Sequence, residues 1–190
     1  VHSWKSNYRC GLSAYLNPDG TLVRPGQLDN NPVFGVPGHG GIIEKFDWDG
    51  NLLWSYKIST DTDMQHHDVL PLPNGNVLAL CYELKTPAQA IAAGKNPLTI
   101  IGDSLWCEKI IEIEPTGDST GTVVWEWHAC DHLIQDFDST KANYGAVAQH
   151  PELLDINFTG GTIQGQIVRS DWLHCNALAY NAKLDQIILN

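Results

Sequence analysis

The chain contains the segment His67-Asp68-Val69-Leu70-Pro71-Leu72-Pro73-Asn74-Gly75-Asn76-Val77-Leu78-Ala79-Leu80. Two β-prone runs flank its Asn-Gly pair, which is typical of the tight turn of a β-hairpin. The same order returns in residues 174–189, where a histidine precedes an apolar run, a turn near Asn181 and the run Ile187-Ile188-Leu189. A weaker copy covers residues 14–23 and lacks the histidine. We call these segments histidine hairpins.

A second kind of segment also recurs, and we call it the aromatic hairpin. It runs from Glu44-Lys45-Phe46 through Gly50 to Leu52-Leu53-Trp54-Ser55-Tyr56. It returns from Glu108-Lys109-Ile110 through Gly121 to Val123-Val124-Trp125-Glu126-Trp127. One hairpin of each kind supplies four antiparallel strands, and such units in series are the blades of a β-propeller. We therefore expect an all-β propeller of four-stranded antiparallel blades.

The repeats predict that the chain, residues 1–190, is a partial β-propeller. Residues 41–83 are expected to form one complete blade. Residues 107–190 are expected to form a second blade, enlarged by an excursion over residues 129–169. Residues 1–24 are expected to hold the end of a preceding blade, and a short helix is expected near residues 87–93.

This arc of about two and a half blades is open, whereas propellers close with roughly four to eight blades. An open arc exposes strand edges and apolar faces, which proteins avoid. The chain also stops directly after Ile187-Ile188-Leu189, within an expected strand. We therefore expect a second chain or a C-terminal segment to complete the propeller.

Composition and charge exclude several classes of protein. The 190 residues are 43% hydrophobic and 17% charged, which excludes intrinsic disorder as a description of the whole chain. The 11 basic and 22 acidic residues give a net charge of −11, which argues against nucleic acid and anionic membranes as partners. No apolar run approaches the roughly 20 residues of a membrane helix, so no membrane insertion is expected.

Five cysteines are too few for a disulfide scaffold. One bridge, such as Cys81 with Cys107, is compatible with their number. Cys130 and Cys175 are expected to be small buried residues rather than ligands or nucleophiles.

His67 and His174 occupy equivalent positions at the start of two histidine hairpins, so they are expected to face the same central channel. Asp68 and Asp171 lie close enough in sequence to orient the two imidazoles. A structural alternative is that each histidine hydrogen-bonds to the neighbouring blade. No compact zinc signature is present. A metal or quinone site that uses His67, His132 and His174 nevertheless remains an open alternative.

Several segments together resemble the arylsulfotransferase family, over about residue 40 to the end. They are His66-His67-Asp68 with the following Asn-Gly turn, Trp125-Glu126-Trp127, Asp131-His132-Leu133-Ile134-Gln135-Asp136 and Asp171-Trp172-Leu173-His174-Cys175-Asn176. Members of this family are periplasmic or secreted six-bladed propellers. They transfer a sulfuryl group between phenols without a nucleotide cofactor.

The resemblance implies that His67 and His174 are catalytic and contact the sulfuryl group and the phenolic oxygen. It further implies that His132, Asp171 and Asn176 bind substrate, a small anionic aryl sulfate and a phenol, with no cofactor. The histidine that accepts the sulfuryl group and an arginine that neutralises it are expected beyond Asn190. The alternative is a non-catalytic propeller that serves as a scaffold or binding module in an extracellular assembly.

Overall fold

The computed structural model describes residues 2–35, 38–100, 102–158 and 170–190. Strands dominate it, which confirms the all-β class. The strands are β1 Arg9–Cys10, β2 Tyr15–Leu16, β3 Leu22–Gln27, β4 Gly41–Phe46, β5 Leu52–Lys57, β6 Asp63–Pro71, β7 Val77–Lys85, β8 Leu105–Gly117, β9 Thr120–His128, β10 Leu133–Ile134, β11 Leu154–Asp155, β12 Leu178–Asn181 and β13 Gln186–Leu189. One α-helix, α1, spans Pro87–Ala92. Within the described ranges, no helix has the length and apolar character that crossing a membrane requires.

The strands form sheets that follow one another along the chain. In the first sheet, β4 lies between β3 and β5, while β1 and β2 both pair with the other edge of β3. The second sheet has the strand order β6-β7-β8-β9. A third, smaller sheet is the antiparallel hairpin of β12 and β13. Each of these sheets begins with a histidine hairpin or its weaker copy, and the series confirms an incomplete propeller arc.

Hydrogen bonding groups the hairpins differently from the grouping expected within residues 41–83. Strand β4 pairs with β3 along its whole length, from Leu22 opposite Phe46 to Gln27 opposite Gly41. Strands β6 and β7 instead pair onward with β8 and β9. A sheet therefore consists of a histidine hairpin followed by an aromatic hairpin, not the reverse. The sequence repeat indicates the period, but only the pairing of the strand edges determines where each unit begins.

The second sheet has apolar side chains on both faces. Successive side chains of a strand point to opposite faces, so a continuous apolar run supplies both. In β7, Val77 and Ala79 pack toward the first sheet, in a core cluster with Ile43 and Trp54. Leu78, between them, packs on the opposite face in a cluster that includes residues of β12 and β13. Successive sheets are thus joined face to face by two separate cores.

A buried carboxylate of the second sheet is hydrogen-bonded to the first and third sheets. Asp68 on β6 accepts hydrogen bonds from the Tyr15 hydroxyl on β2, with oxygen–oxygen distances of 3.0 and 3.2 Å. It also accepts one from the Leu178 N–H on β12 at 2.8 Å. Burial, with a further contribution from the Asp68 charge, raises the pKa of Tyr15 to about 12, so the phenol stays protonated and donating at neutral pH.

Replacing Asp68 with Ala is expected to lower the free energy of unfolding by roughly 3 kcal/mol, because it removes the hydrogen bonds that Tyr15 and Leu178 donate to a charged group and leaves a buried N–H unpaired. Urea denaturation measures the change. The exposed Asp61→Ala is the control and should alter stability by less than about 0.5 kcal/mol. Equal effects of the two substitutions would contradict the role assigned to Asp68.

A second compact unit comprises residues 83–109 and 128–174, and the first unit comprises residues 1–82, 110–127 and 175–190. The second unit contains the expected short helix, α1. Thr86 caps this helix: its hydroxyl accepts from the Gln89 N–H, and the Gln89 side chain accepts from the Thr86 N–H. The parallel pair β10–β11 completes the regular structure of this unit. Its excursion overlaps residues 159–169, which lie outside the described residues.

The disulfide of the second unit joins Cys107 to Cys130. The pairing of Cys81 with Cys107 is therefore wrong, and Cys130, expected to be a small buried residue rather than a ligand or nucleophile, is half-buried and forms the bridge. The cause is strand alternation, which directs Cys81 into the core between the first and second sheets, where its Sγ contacts Ala79 O. Cys107 belongs instead to the core of the second unit, together with residues such as Leu105 and Trp172.

The disulfide closes a loop between residues 23 positions apart. The double substitution Cys107→Ser and Cys130→Ser is therefore expected to cost about 3 kcal/mol by the chain-entropy argument. Thermal unfolding monitored by circular dichroism measures this loss. In denaturant, only three of the five cysteines should react with a thiol reagent before reduction. Reaction of all five would exclude the bridge.

Candidate functional site

His67 lies within β6, and 7% of it is exposed. Its backbone φ is 47°, in the left-handed region that non-glycine residues rarely adopt. The His67 N–H donates to Gly38 O at 2.8 Å. Its ring Nδ1 lies 2.9 Å from Nδ1 of His66, so one of these two nitrogens carries the shared proton.

Stacked rings support this pair of histidines. The His66 ring lies parallel to Tyr82, with centroids 3.6 Å apart and an interplanar angle of 5°. Phe34 stacks against Tyr82 in turn, at 6.1 Å. His66 and Tyr82 are fully buried, so the position of His66 is set by packing and transmitted to His67 through the Nδ1 contact.

Gly38 allows its loop to approach the His67 ring. A Cβ at this position would lie 2.2 Å from Cε1 and 2.4 Å from Nε2 of His67, and the φ of Gly38 is 92°. Both the conformation and the space therefore require glycine. The Asp68 carboxylate accepts from Tyr15 and Leu178, and the His67 ring contacts His66, while the orientation of His67 by Asp68 stays a prediction.

His174 lies in the second unit, and its side chain is 43% exposed. Its Nδ1 forms a hydrogen bond with Oδ2 of Asp171, so the second expected carboxylate–imidazole pair is present. This bond fixes the orientation of the imidazole.

The Asp171–His174 segment is anchored at two points within the second unit. The Trp106 N–H donates to Ser170 O at 2.7 Å, and Trp106 forms a parallel bridge with Asp171. Trp172 is buried in the core, and its Nε1 donates to Phe158 O at 3.0 Å.

Lys95 extends under the same segment. Its Nζ donates to Ile156 O at 2.6 Å and lies 5.7 Å from the centroid of the Trp172 ring, within the range of a cation–π contact. Burial lowers the pKa of Lys95, and the charge of Asp155 partly opposes that shift. The lysine thus ties the tryptophan of the motif to the strand that ends at Asp155.

His67 and His174 share an unusual backbone conformation. The φ of His174 is 55°, close to the 47° of His67. A non-glycine residue in this region costs on the order of 1–3 kcal/mol and is maintained only by its surroundings. Two histidines at equivalent repeat positions therefore carry the same strain.

The structure places the remaining candidates as follows. His132 follows a single 3₁₀ turn, and its carbonyl accepts from the Leu154 N–H at 2.7 Å. Asn176 is exposed, and its N–H donates to Asn190 O at 2.5 Å. Among the residues that the structure describes, no three His, Cys, Asp or Glu side chains converge as a metal site would require, so the metal alternative gains no support.

Sequence reasoning missed the residues that position the histidines. Gly38, Tyr82 and Lys95 are distant in sequence from the residues they support, and no local pattern connects them. The Gly-rich stretch around Gly38 was the one available signal, because repeated glycines mark close backbone approach.

The serial antiparallel sheets define the class of this protein as all-β, in the arrangement of an incomplete propeller arc. The family model described as Arylsulfotransferase (ASST) matches residues 20–190. The chain therefore belongs to the arylsulfotransferase family, which confirms the resemblance seen in its motifs. A comparison with curated proteins found no match.

Replacing Gly38 with Ala is expected to destabilise the protein and to displace the His67 ring. Gly75→Ala is a matched control, because Gly75 has a φ of 93° and, apart from its chain neighbours, no described residue lies within 4 Å of where its Cβ would be. The two variants share the backbone strain, so the additional loss in Gly38→Ala, about 2 kcal/mol, measures the clash with His67. Chemical denaturation gives the energies, and the NMR signal of the His67 ring reports its displacement. Equal losses with an unchanged His67 signal would contradict this packing.

Proposed function

We propose that this chain supplies His67 and His174 to the transfer of a sulfuryl group from an aryl sulfate to a phenol. The transfer takes place in a propeller completed by polypeptide outside residues 1–190. Family membership supports the class of reaction. The assignment of these two residues to the reaction rests on their shared left-handed backbone conformation, because strain of this kind clusters at functional sites.

The proposed transfer takes place in two half-reactions. In the first, the bond between sulfur and the aryl oxygen breaks, the sulfuryl group passes to a histidine outside this chain, and the departing oxygen receives a proton. In the second, the acceptor phenol loses its proton, its oxygen forms the new bond to sulfur, and the bond between sulfur and the histidine nitrogen breaks, which frees the histidine. His67 and His174 hold or move these protons and donate hydrogen bonds to the sulfuryl oxygens.

Asp171 supports His174 in this role. Its carboxylate engages Nδ1, so Nε2 on the opposite side of the ring is directed away from that contact. This leaves Nε2 as the nitrogen that exchanges a proton with the phenolic oxygen. His132 and Asn176 are proposed to contact the substrate.

The net charge of −11 does not conflict with an anionic substrate, because protonated histidines and an arginine from the completing polypeptide set the local field. The Cys107–Cys130 disulfide supports a periplasmic or secreted location, since structural disulfides persist in oxidising compartments.

A scaffold or binding role is the second candidate, and the burial of His67 beneath Gly38 favours it. A propeller of this kind would bind its completing partner tightly and turn over no aryl sulfate.

The test uses protein that combines residues 1–190 with the polypeptide that completes the propeller. With 4-nitrophenyl sulfate as donor and phenol as acceptor, release of nitrophenol is followed by absorbance. His174→Gln is expected to lower kcat/KM by roughly 100-fold or more, the usual effect of removing a general acid–base group.

His150→Gln is the matched control. Nδ1 of His150 lies 2.9 Å from Oε1 of Glu152, so it is also a histidine–carboxylate pair in the second unit, but it lies outside the motif. Its removal should leave activity unchanged. Full activity of His174→Gln, or no phenol-dependent release by the unsubstituted protein, would refute the proposal.

A further inference from the structure

We infer that the face of the second sheet that carries Trp125 and Trp127 is the docking surface for a third aromatic hairpin, on polypeptide outside residues 1–190. The inference rests on the incomplete-propeller part of the proposed function and is independent of its chemistry. It follows from comparing the two aromatic hairpins of the chain, one of which is covered by a following sheet.

The first aromatic hairpin, β4–β5, shows how the covered surface is built. Trp54 is 3% exposed, and its Nε1 donates to Thr120 O at 2.9 Å. The Ser55 N–H donates to Asp118 O, also at 2.9 Å. Both acceptors are backbone carbonyls at the turn between β8 and β9. The aromatic strand of one sheet therefore binds the turn of the aromatic hairpin in the next sheet.

Gly121 completes this contact. A Cβ on Gly121 would lie 2.6 Å from Ile113 Cγ2 and 3.2 Å from Cδ2 of Tyr56. The absence of a side chain at this position lets Tyr56 pack against the following hairpin, beside Trp54 with ring centroids 6.0 Å apart.

The second aromatic hairpin, β8–β9, presents the same surface without a cover. Trp125 matches Trp54 in the repeat, yet it is 41% exposed. Among the described residues, none forms a hydrogen bond with its Nε1. Trp125 lines a groove of about 820 Å³ together with Trp127, Leu72, Ile187 and Leu189.

The unpaired edge of β13, beside this groove, indicates that the occupant is a β-strand. Within the described part of the chain, β13 pairs only with β12, whereas the matching strand β7 pairs with both β6 and β8. A strand edge beside an apolar groove accepts a strand that hydrogen-bonds to the edge and packs its side chains into the groove. The occupant is thus a β-hairpin that pairs with β13, offers a turn carbonyl to Trp125 Nε1 and has glycine opposite Trp127.

The experiment uses the chain of residues 1–190 labelled with 5-fluorotryptophan. The probe is a synthetic peptide of residues 108–127, an aromatic hairpin of the same repeat, closed by a disulfide between added terminal cysteines. In ¹⁹F NMR, the peptide should shift the Trp125 resonance, assigned with Trp125→Phe, in a saturable manner. The resonance of Trp48, an exposed tryptophan of the first sheet, should not move.

Two matched controls define the contact. Trp125→Ala in the chain should weaken peptide binding at least tenfold, whereas Trp48→Ala should not change it. A peptide carrying Gly121→Val should fail to bind, because a side chain there meets Ile113 of the peptide itself and occupies the space that the aromatic ring opposite needs. Because no turnover is measured, failure of the proposed chemistry would not affect this result.

Three outcomes would overturn the inference. They are no saturable shift of Trp125 at millimolar peptide, equal binding of the peptide that carries Gly121→Val, and a Trp125 shift that depends on chain concentration without peptide. The last result would assign the groove to a second copy of the chain.

Discussion

Side chains alternate between the two faces of the second sheet, and each face contributes to a core cluster. Such a sheet is apolar on both sides and cannot be stable alone in water, so it requires a neighbouring sheet on each face. The first sheet covers one face through Ile43 and Trp54, and the β12–β13 hairpin covers part of the other. The serial order of sheets follows from this requirement, and so does the exposure of Trp125 where the cover is incomplete.

The same packing of sheets also fixes the position of the candidate catalytic histidine His67. Asp68 links three sheets through Tyr15 and Leu178, so the residue beside it, His67, occupies a point that cannot move without breaking those links. Packing against Tyr82 and Gly38 then maintains a strained backbone at His67. In the second unit, Lys95 and the Trp106 bridge perform the corresponding task for His174. Rigid surroundings of this kind are what a preorganised site requires.

Much of the fold and part of the site could be predicted from local pattern. Hairpins with Asn-Gly turns, the helix after Thr86 and the pairing of Asp171 with His174 each depend on residues a few positions apart. The disulfide, the role of Asp68 and the grouping of the strands into sheets could not be predicted. The disulfide and the contacts of Asp68 depend on which distant parts of the chain meet. The grouping of strands could not be read from the repeat, because the repeated sequence is the same whether a sheet begins with the histidine hairpin or the aromatic hairpin.

The amino-acid sequence by itself determined the all-β class, the two kinds of hairpin, the equivalence of His67 and His174 and the arylsulfotransferase family, because these are properties of order and spacing. The tertiary structure alone decided that Asp68 binds Tyr15 and Leu178, that Cys107 joins Cys130, and that one aromatic hairpin is covered and the other open. The physical reason is that burial, hydrogen bonding and strand pairing act between residues brought together only when the sheets pack.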